Sequence, residues 1–326
     1  MNETLLTDYY EKRGFSAEAA RAAVAAVKAY EAWLTGRGES FSDAGLDSLK
    51  EYLALLISGK RNDDETLLAL ARYCYLAGRP DLYIYFTSIL GIEEIVGNIA
   101  DHTEAVLGTE VRNKVFSGLP IPPAGSPPEA VLPVTRELVR RLQDALPEAD
   151  RRHALTANAH GIPTSAFDEE KKHFNEAPSL EAYLAGRHQR LVETLADHAK
   201  TGKPWFEQTI TDRVVDFVRE NQEIQAGVLK DGKIYVTKIP YDPDAWLGEA
   251  DPPGRRYLAC HCPMARVSLL AGDPVPPVWC YCSAGFEKNI FDALFDAPVE
   301  VEVLASVLAG DDVCRFAVRV PEKYFH

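Results

Sequence analysis

Between Leu119 and Pro133 the chain carries six prolines, with Gly125 and Ser126 among them. Proline fixes φ and removes a backbone donor, so a stretch this dense does not propagate a helix or a central strand. It predicts a linker over 119–133 that separates a segment 1–118 from a segment 134–326. Each segment is long enough to bury a core of its own.

The first segment reads as a helical bundle. Ser16 is placed as an N-cap, and Ala20, Val24, Val27 and Leu34 recur at three- and four-residue steps up to Gly36. Leu49, Tyr52, Leu53 and Leu56 share a second face before Gly59, and Leu67, Leu70, Tyr73 and Cys74 a third after Asp63 or Asp64. Pro80 opens a fourth helix, expected over 81–96. The runs Ala29-Tyr-Glu-Ala-Trp-Leu34, Leu49-Lys-Glu-Tyr-Leu53 and Thr66-Leu-Leu-Ala-Leu-Ala-Arg-Tyr73 resemble the core-binding helical domain of tyrosine recombinases. The resemblance implies a bundle over roughly 16–100. No Arg, His-x-x-Arg and Tyr constellation follows it, so a reused scaffold is expected ahead of a DNA-associated adaptor.

Charge points the same way. A formal net charge of −14 gives an average field that repels nucleic acid and anionic membrane surfaces. Residues Met1 to Arg13 are polar, and no apolar run approaches the roughly 20 residues of a spanning helix. A cytoplasmic protein without a membrane segment is expected, and in that compartment grouped thiols bind metal or react rather than pair structurally.

Beyond the linker, helices are expected around 136–146, 179–198 and 209–220, and then the periodicity changes. Glu223–Leu229 and Lys233–Ile239 alternate about Asp231-Gly232, a hairpin signal. The fold class is therefore α+β: an all-α bundle followed by a domain with antiparallel hairpins and a cysteine cluster.

Five of the six cysteines fall between Cys260 and Cys314, as Cys260-His261-Cys262-Pro263, Cys280-Tyr281-Cys282-Ser283 and Cys314. Residues 257–262 and 278–282 read as short strands, each followed by a helix. Strand residues i and i+2 share a face, so each pair would present two sulfurs together. Cys262 and Cys282 would sit at helix N-termini, which favour thiolate. Cys260, Cys262, Cys280 and Cys282, with Cys314 in reserve, make a ligand set for zinc, or for an iron–sulfur cluster. The alternative is a thiol-dependent hydrolase or redox enzyme with Cys262 or Cys282 as nucleophile and His261 or His160 as base.

The run Val299-Glu-Val-Glu-Val-Leu304, with Gly310-Asp-Asp-Val-Cys-Arg-Phe316, resembles the closing hairpin of vinyl-reductase-type domains. Those are small-molecule and hydrocarbon-binding modules that commonly hold zinc with cysteines and a carboxylate. Gly310, Asp311, Cys314 and Phe316 fit the pattern, while Val303 and Ser306 stand where that family places Glu and Cys. The resemblance implies a binding or sensing role, with Cys260 and Cys262 replacing the missing ligands. The phrases His160-Gly-Ile-Pro163, Trp205-Phe-Glu-Gln208, Lys238-Ile-Pro-Tyr241 and Cys260-His-Cys-Pro263 resemble an unassigned bacterial family that brings no activity with it. His160, His261, Arg266 and Trp205 are the candidate ligand-binding residues. No phosphate loop, dinucleotide fingerprint, serine elbow or His-Glu-x-x-His is present. The expected function is small-molecule binding or sensing beside a cysteine-ligated metal.

Overall fold

The structure, a computed structural model, describes residues 1–324. Its helices are α1 (Glu3–Lys12), α2 (Ala17–Gly36), α3 (Leu46–Ser58), α4 (Asp64–Leu76), α5 (Pro80–Thr87), α6 (Ile92–Leu107), α7 (Thr109–Phe116) and α8 (Pro128–Ala145). They continue as α9 (Glu148–Leu155), α10 (Asp168–Glu176), α11 (Leu180–Thr201), α12 (Asp212–Arg219), α13 (Pro243–Gly248), α14 (Pro252–Ala259), α15 (Val267–Leu270) and α16 (Tyr281–Phe295). The strands are β1 (Val228–Lys230), β2 (Lys233–Thr237), β3 (Val301–Ala305) and β4 (Arg315–Arg319). The class is α+β.

Two compact units result, Met1–Ile92 with Ile121–Val131, and Glu93–Pro120 with Leu132 onward. In the first, Ser16 and Asp63 cap α2 and α4 by accepting from Ala19 N–H and Thr66 N–H. Val27, Tyr30, Leu34, Leu49, Leu67 and Phe86 fill its core. The helix expected over 81–96 is interrupted at Gly91, where φ is +73°, a conformation that glycine alone adopts freely. The whole stretch 80–107 is long and apolar enough by composition to cross a membrane, and 44% of its most apolar window is buried in the protein.

The Pro-rich segment behaves differently from the expected linker. Residues 121–131 pack into the first unit, where Asn62 Nδ2 donates to the Ala124 carbonyl at 2.8 Å. Gly125, at φ +82°, lies so close that a Cβ would sit 3.3 Å from Leu67 Cδ1. A helix then starts at Pro128 and carries Pro133 inside it. Pro128 is tolerated at the first helical position because the N–H groups there have no helical partner to lose, whereas Pro133, five residues on, gives up a bond to the Glu129 carbonyl.

In the second unit the sheet order is β1-β2-β4-β3, antiparallel throughout. The β1–β2 turn is Asp231-Gly232, both at positive φ (+49° and +75°), the geometry that matches hairpin twist. Ile234 pairs with Val318 and Val236 with Phe316, so these four side chains share one face. α16 and α11 cover them with Ile290, Phe291, Leu294, Phe295, Leu180 and Leu184. Gly285 lets α16 approach the 156–157 backbone, since a Cβ there would meet the Ala157 carbonyl oxygen at 2.3 Å.

Both Cys-x-Cys pairs leave the expected strands. Asp251 caps α14 by accepting from Gly254 N–H and Pro252 opens it, so Tyr257 is helical and Cys260 ends the helix. Pro276 and Pro277 start a 3₁₀ turn over Pro277–Cys280 that runs straight into α16. Proline at a first turn outweighs the strand preference of the aromatic and β-branched residues around it. Helical residues two apart lie on nearly opposite sides, so the sulfurs of Cys280 and Cys282 diverge.

Candidate functional site

The apolar row on the sheet ends in a polar step. Lys238 N–H donates to the Cys314 carbonyl at 2.9 Å, continuing the β2–β4 ladder by one residue and placing the two side chains opposite one another on the face that α16 covers. Over them stands Glu287 of α16, two turns beyond Cys280 and on the same side of the helix. Lys238 Nζ lies 3.7 Å from Glu287 Oε1, with the two side chains only 11% and 7% exposed. That ion pair is too long to be a hydrogen bond, and Glu287 Oε1 has no hydrogen-bond partner at all. The Lys238 ammonium also lies 4.7 Å from the centre of the Phe286 ring.

Around this pair the predicted cysteines gather in two groups. Cys280 Sγ is 3.0 Å from Ser306 Oγ and hydrogen-bonds Cys314, with Cys260 in electrostatic range of both. Cys262 takes a hydrogen bond from the Trp279 indole N–H at 3.2 Å and neighbours Cys282 and Lys238. All six cysteines are free, and Cys262 is the one residue among them that is not wholly buried. Among the described residues no three His, Cys, Asp or Glu side chains are spaced to share one metal ion. The zinc or iron–sulfur ligand set of Cys260, Cys262, Cys280, Cys282 and Cys314 is thus not assembled at one point in this arrangement.

The thiols also titrate otherwise than their expected helix-terminal positions imply. Burial pushes Cys282 up to about 12 and Cys260 higher still. It raises Cys262 as well, against the Trp279 N–H, the Met264 and Ala265 amides and the Lys238 charge, all of which favour thiolate. Cys314 runs the other way. The hydrogen bond from Cys280 holds it down to about 7 against its burial, helped by the Val307 amide and Lys238. Cys280, as donor, is correspondingly pushed well above the usual thiol range.

His261 links the cysteines to a carboxylate. Its Nε2 lies 2.6 Å from the Ile239 carbonyl oxygen and its Nδ1 2.8 Å from Glu207 Oε1. Gln208 Nε2 lies 3.5 Å from the same Nδ1. Burial alone would raise Glu207, but the bond and charge of His261, with Lys238 and Gln208, hold it below the ordinary carboxylate range. Gln208 is 2% exposed and its Oε1 lacks a partner. Glu207 is held there by a two-residue turn, Trp205 and Gln208 bridging across Phe206 and Glu207. Phe206 has φ +51° and stands 69% exposed, a strained conformation for an aromatic residue.

Of the other candidates, His160 has its ring edge-on to Phe286 at 5.3 Å, and its pKa is lowered by burial and by Lys238. Asn158 fixes that loop, bonding Ile162 through both amide atoms while its Oδ1 accepts from Asn289 of α16 at 3.0 Å. Arg266 stacks on Tyr241 and Tyr257 at 3.9 and 4.8 Å, and its Nε has no hydrogen-bond partner. Trp205 packs instead against the α11–α12 core. Sequence reasoning assigned no role to Lys238, Glu287, Glu207, Gln208 or Trp279. The phrases containing Glu207, Gln208 and Lys238 were nevertheless the ones that repeat in an unassigned family.

A pocket of about 300 Å³ in the first unit, lined by Tyr10, Phe15, Ala19, Ala23, Thr66 and Arg72, contains no thiol. Its arginine is already bonded to Tyr10 and stacked on Phe15, so it is the poorer candidate for chemistry.

Comparison with known proteins adds one likeness. No curated protein and no solved structure matches. Residues 254–324, about a fifth of the chain, which include all five clustered cysteines and Glu287, are similar to a protein family of unknown function (DUF6144).

Proposed function

We propose that the second unit binds a small polar molecule beside Lys238 and Glu287. The observation that carries this reading is the ion pair held open at 3.7 Å, with the buried Glu287 Oε1 left without a donor. Leaving a buried polar atom unsatisfied costs about 1–3 kcal/mol, and an unpartnered carboxylate oxygen beside an ammonium that does not close on it is the pattern of a site whose last partner is a ligand. That ligand offers an oxygen to Lys238 Nζ and an N–H group to Glu287 Oε1. Amino acids and small carboxamides have this chemistry. The Lys238 charge also acts on Cys262, Cys282 and His160.

The test is thermal unfolding of the full chain with α-amino acids and their carboxamides at millimolar concentration. At least one member is expected to raise the melting temperature, as ligand linkage requires, and Glu287→Gln and Lys238→Met are expected to abolish the rise. A melting temperature unmoved by every member would overturn the reading.

A further inference from the structure

We propose that the first unit holds a linear ω-amino acid in the pocket between α1, α2 and α4, its carboxylate on Arg72 and its ammonium at Glu65. The pocket lies wholly within that unit, and neither it nor the Lys238 pair needs the other. The sequence makes the room. α2 lines the pocket with Ala19, Ala22 and Ala23, and side chains that short leave a space of about 300 Å³ where longer ones would close it. Glu65, Leu68 and Arg72 of α4 line it as well, and at steps of three and four residues they fall on one face of that helix. Seven residues of helix set the acidic end about 10 Å from the basic end. Between the ends the walls are apolar, with Phe15 and Leu68 left 41% and 37% exposed.

The basic end is a set of donors without an anionic acceptor. Arg72 Nη1 donates to the Tyr10 hydroxyl at 2.8 Å, which leaves the hydroxyl its own proton to donate. The guanidinium packs against the Tyr10 and Phe15 rings, 5.1 and 4.9 Å from their centres. Among the described residues it has no carboxylate partner. An arginine held by rings and without an ion pair is prepared for a carboxylate, which accepts two of its N–H bonds side by side. The other end is acidic. Asp63 accepts from the Thr66 N–H and hydroxyl, each at 2.9 Å, whereas Glu65 has no partner among the described residues. A plain anion would meet these two carboxylates and a plain cation would meet Arg72. The charges therefore select a molecule that carries one of each, joined by an apolar chain.

Isothermal titration calorimetry of the full chain with 4-aminobutyrate, 5-aminopentanoate and 6-aminohexanoate tests the site. At least one is expected to bind, and the plain acid and plain amine of the same chain length about tenfold more weakly, the order of effect of one charge-assisted hydrogen bond. Arg72→Met is expected to lose the binding, and so is Ala22→Phe, which fills the pocket from an exposed position of α2. Lys238→Met is expected to keep it. Glu65→Gln should remove the advantage of the amino acid over the plain acid, a change that a merely structural role for Glu65 would not produce. No binding heat from any of the three overturns the proposal. So does equal binding by the plain acid, or equal binding in Arg72→Met or Ala22→Phe with the fold intact by circular dichroism. Binding that Lys238→Met abolishes and Arg72→Met leaves belongs to the second unit and overturns it as well.

Discussion

Lys238 and Cys314 stand opposite one another one residue past the end of the β2–β4 ladder, on the face whose preceding pairs, Val236 with Phe316 and Ile234 with Val318, are wholly apolar. A cation at the end of an apolar row is tolerated because Glu287 lies over it. Breaking a buried pair from one side leaves the other charge uncompensated. Lys238→Met is therefore expected to cost about 3 kcal/mol of unfolding free energy. The double variant Lys238→Met, Glu287→Leu should recover most of that loss. Urea denaturation of the four proteins closes the cycle, and additive losses would show that the pair does not couple.

Gly285 and Gly186 make a contrasting pair. A Cβ on Gly285 meets the Ala157 carbonyl oxygen at 2.3 Å, whereas one on Gly186 of α11 meets only the end of Arg190 at 3.4 Å. Gly285→Ala is expected to destabilise by about 2–3 kcal/mol, since backbone cannot yield as a side chain can. Gly186→Ala should stabilise by about 0.5–1 kcal/mol through helix propensity. Denaturant midpoints at equal slope would check both, and equal effects would contradict the contact.

The helical first unit and the two hairpins were legible because their signals are local: Ser16 and Asp63 as caps, Asp231-Gly232 as a turn. The clustering of the cysteines was legible as composition. Their geometry was not, because Pro252 and Pro277 open helical turns where alternating aromatic and β-branched residues suggest strands. Lys238 and Glu287 were hidden for a different reason. Each is an ordinary charged residue in its own segment, and only the pairing of β2 with β4 beneath α16 brings them together. Long-range register of that kind leaves no trace in a window of one sequence.

Glu207 supplies an acid-dependent contribution with a definite sign. Its folded pKa lies below the ordinary carboxylate value because the His261 bond and charge outweigh burial. A depressed carboxylate stabilises the fold above its unfolded pKa, and the contribution disappears as pH falls through the folded value. Stability is thus expected to drop as pH falls below the ordinary carboxylate range, and Glu207→Gln should flatten that limb while lowering stability at neutral pH. Urea midpoints across the range test it. An unchanged acid limb in the variant would place the sensitivity in other carboxylates.

Cys314 and Cys262 separate thiolate character from access. The Cys280 hydrogen bond, the Val307 amide and Lys238 bring Cys314 down to about 7, yet it is 8% exposed. Cys262 is held up by burial, and it is the one residue of the six cysteines that is not wholly buried. Reactivity needs thiolate and approach together, so the two properties should appear in different experiments. Thiolate ultraviolet absorbance is expected to fade on acidification through about 7 and to be missing in Cys314→Ser. The sign for stability follows, because a depressed acid contributes above its unfolded pKa and loses that contribution as pH falls through about 7. A disulfide reagent at the same pH should instead find Cys262 first. Cys74, which burial pushes up to about 12, should react only as the first unit unfolds. A fast-reacting thiol that survives in Cys262→Ser and vanishes in Cys314→Ser would show that solvent reaches the sheet end directly, and that the Ser306, Cys280 and Cys314 relay is the reactive half of the cluster.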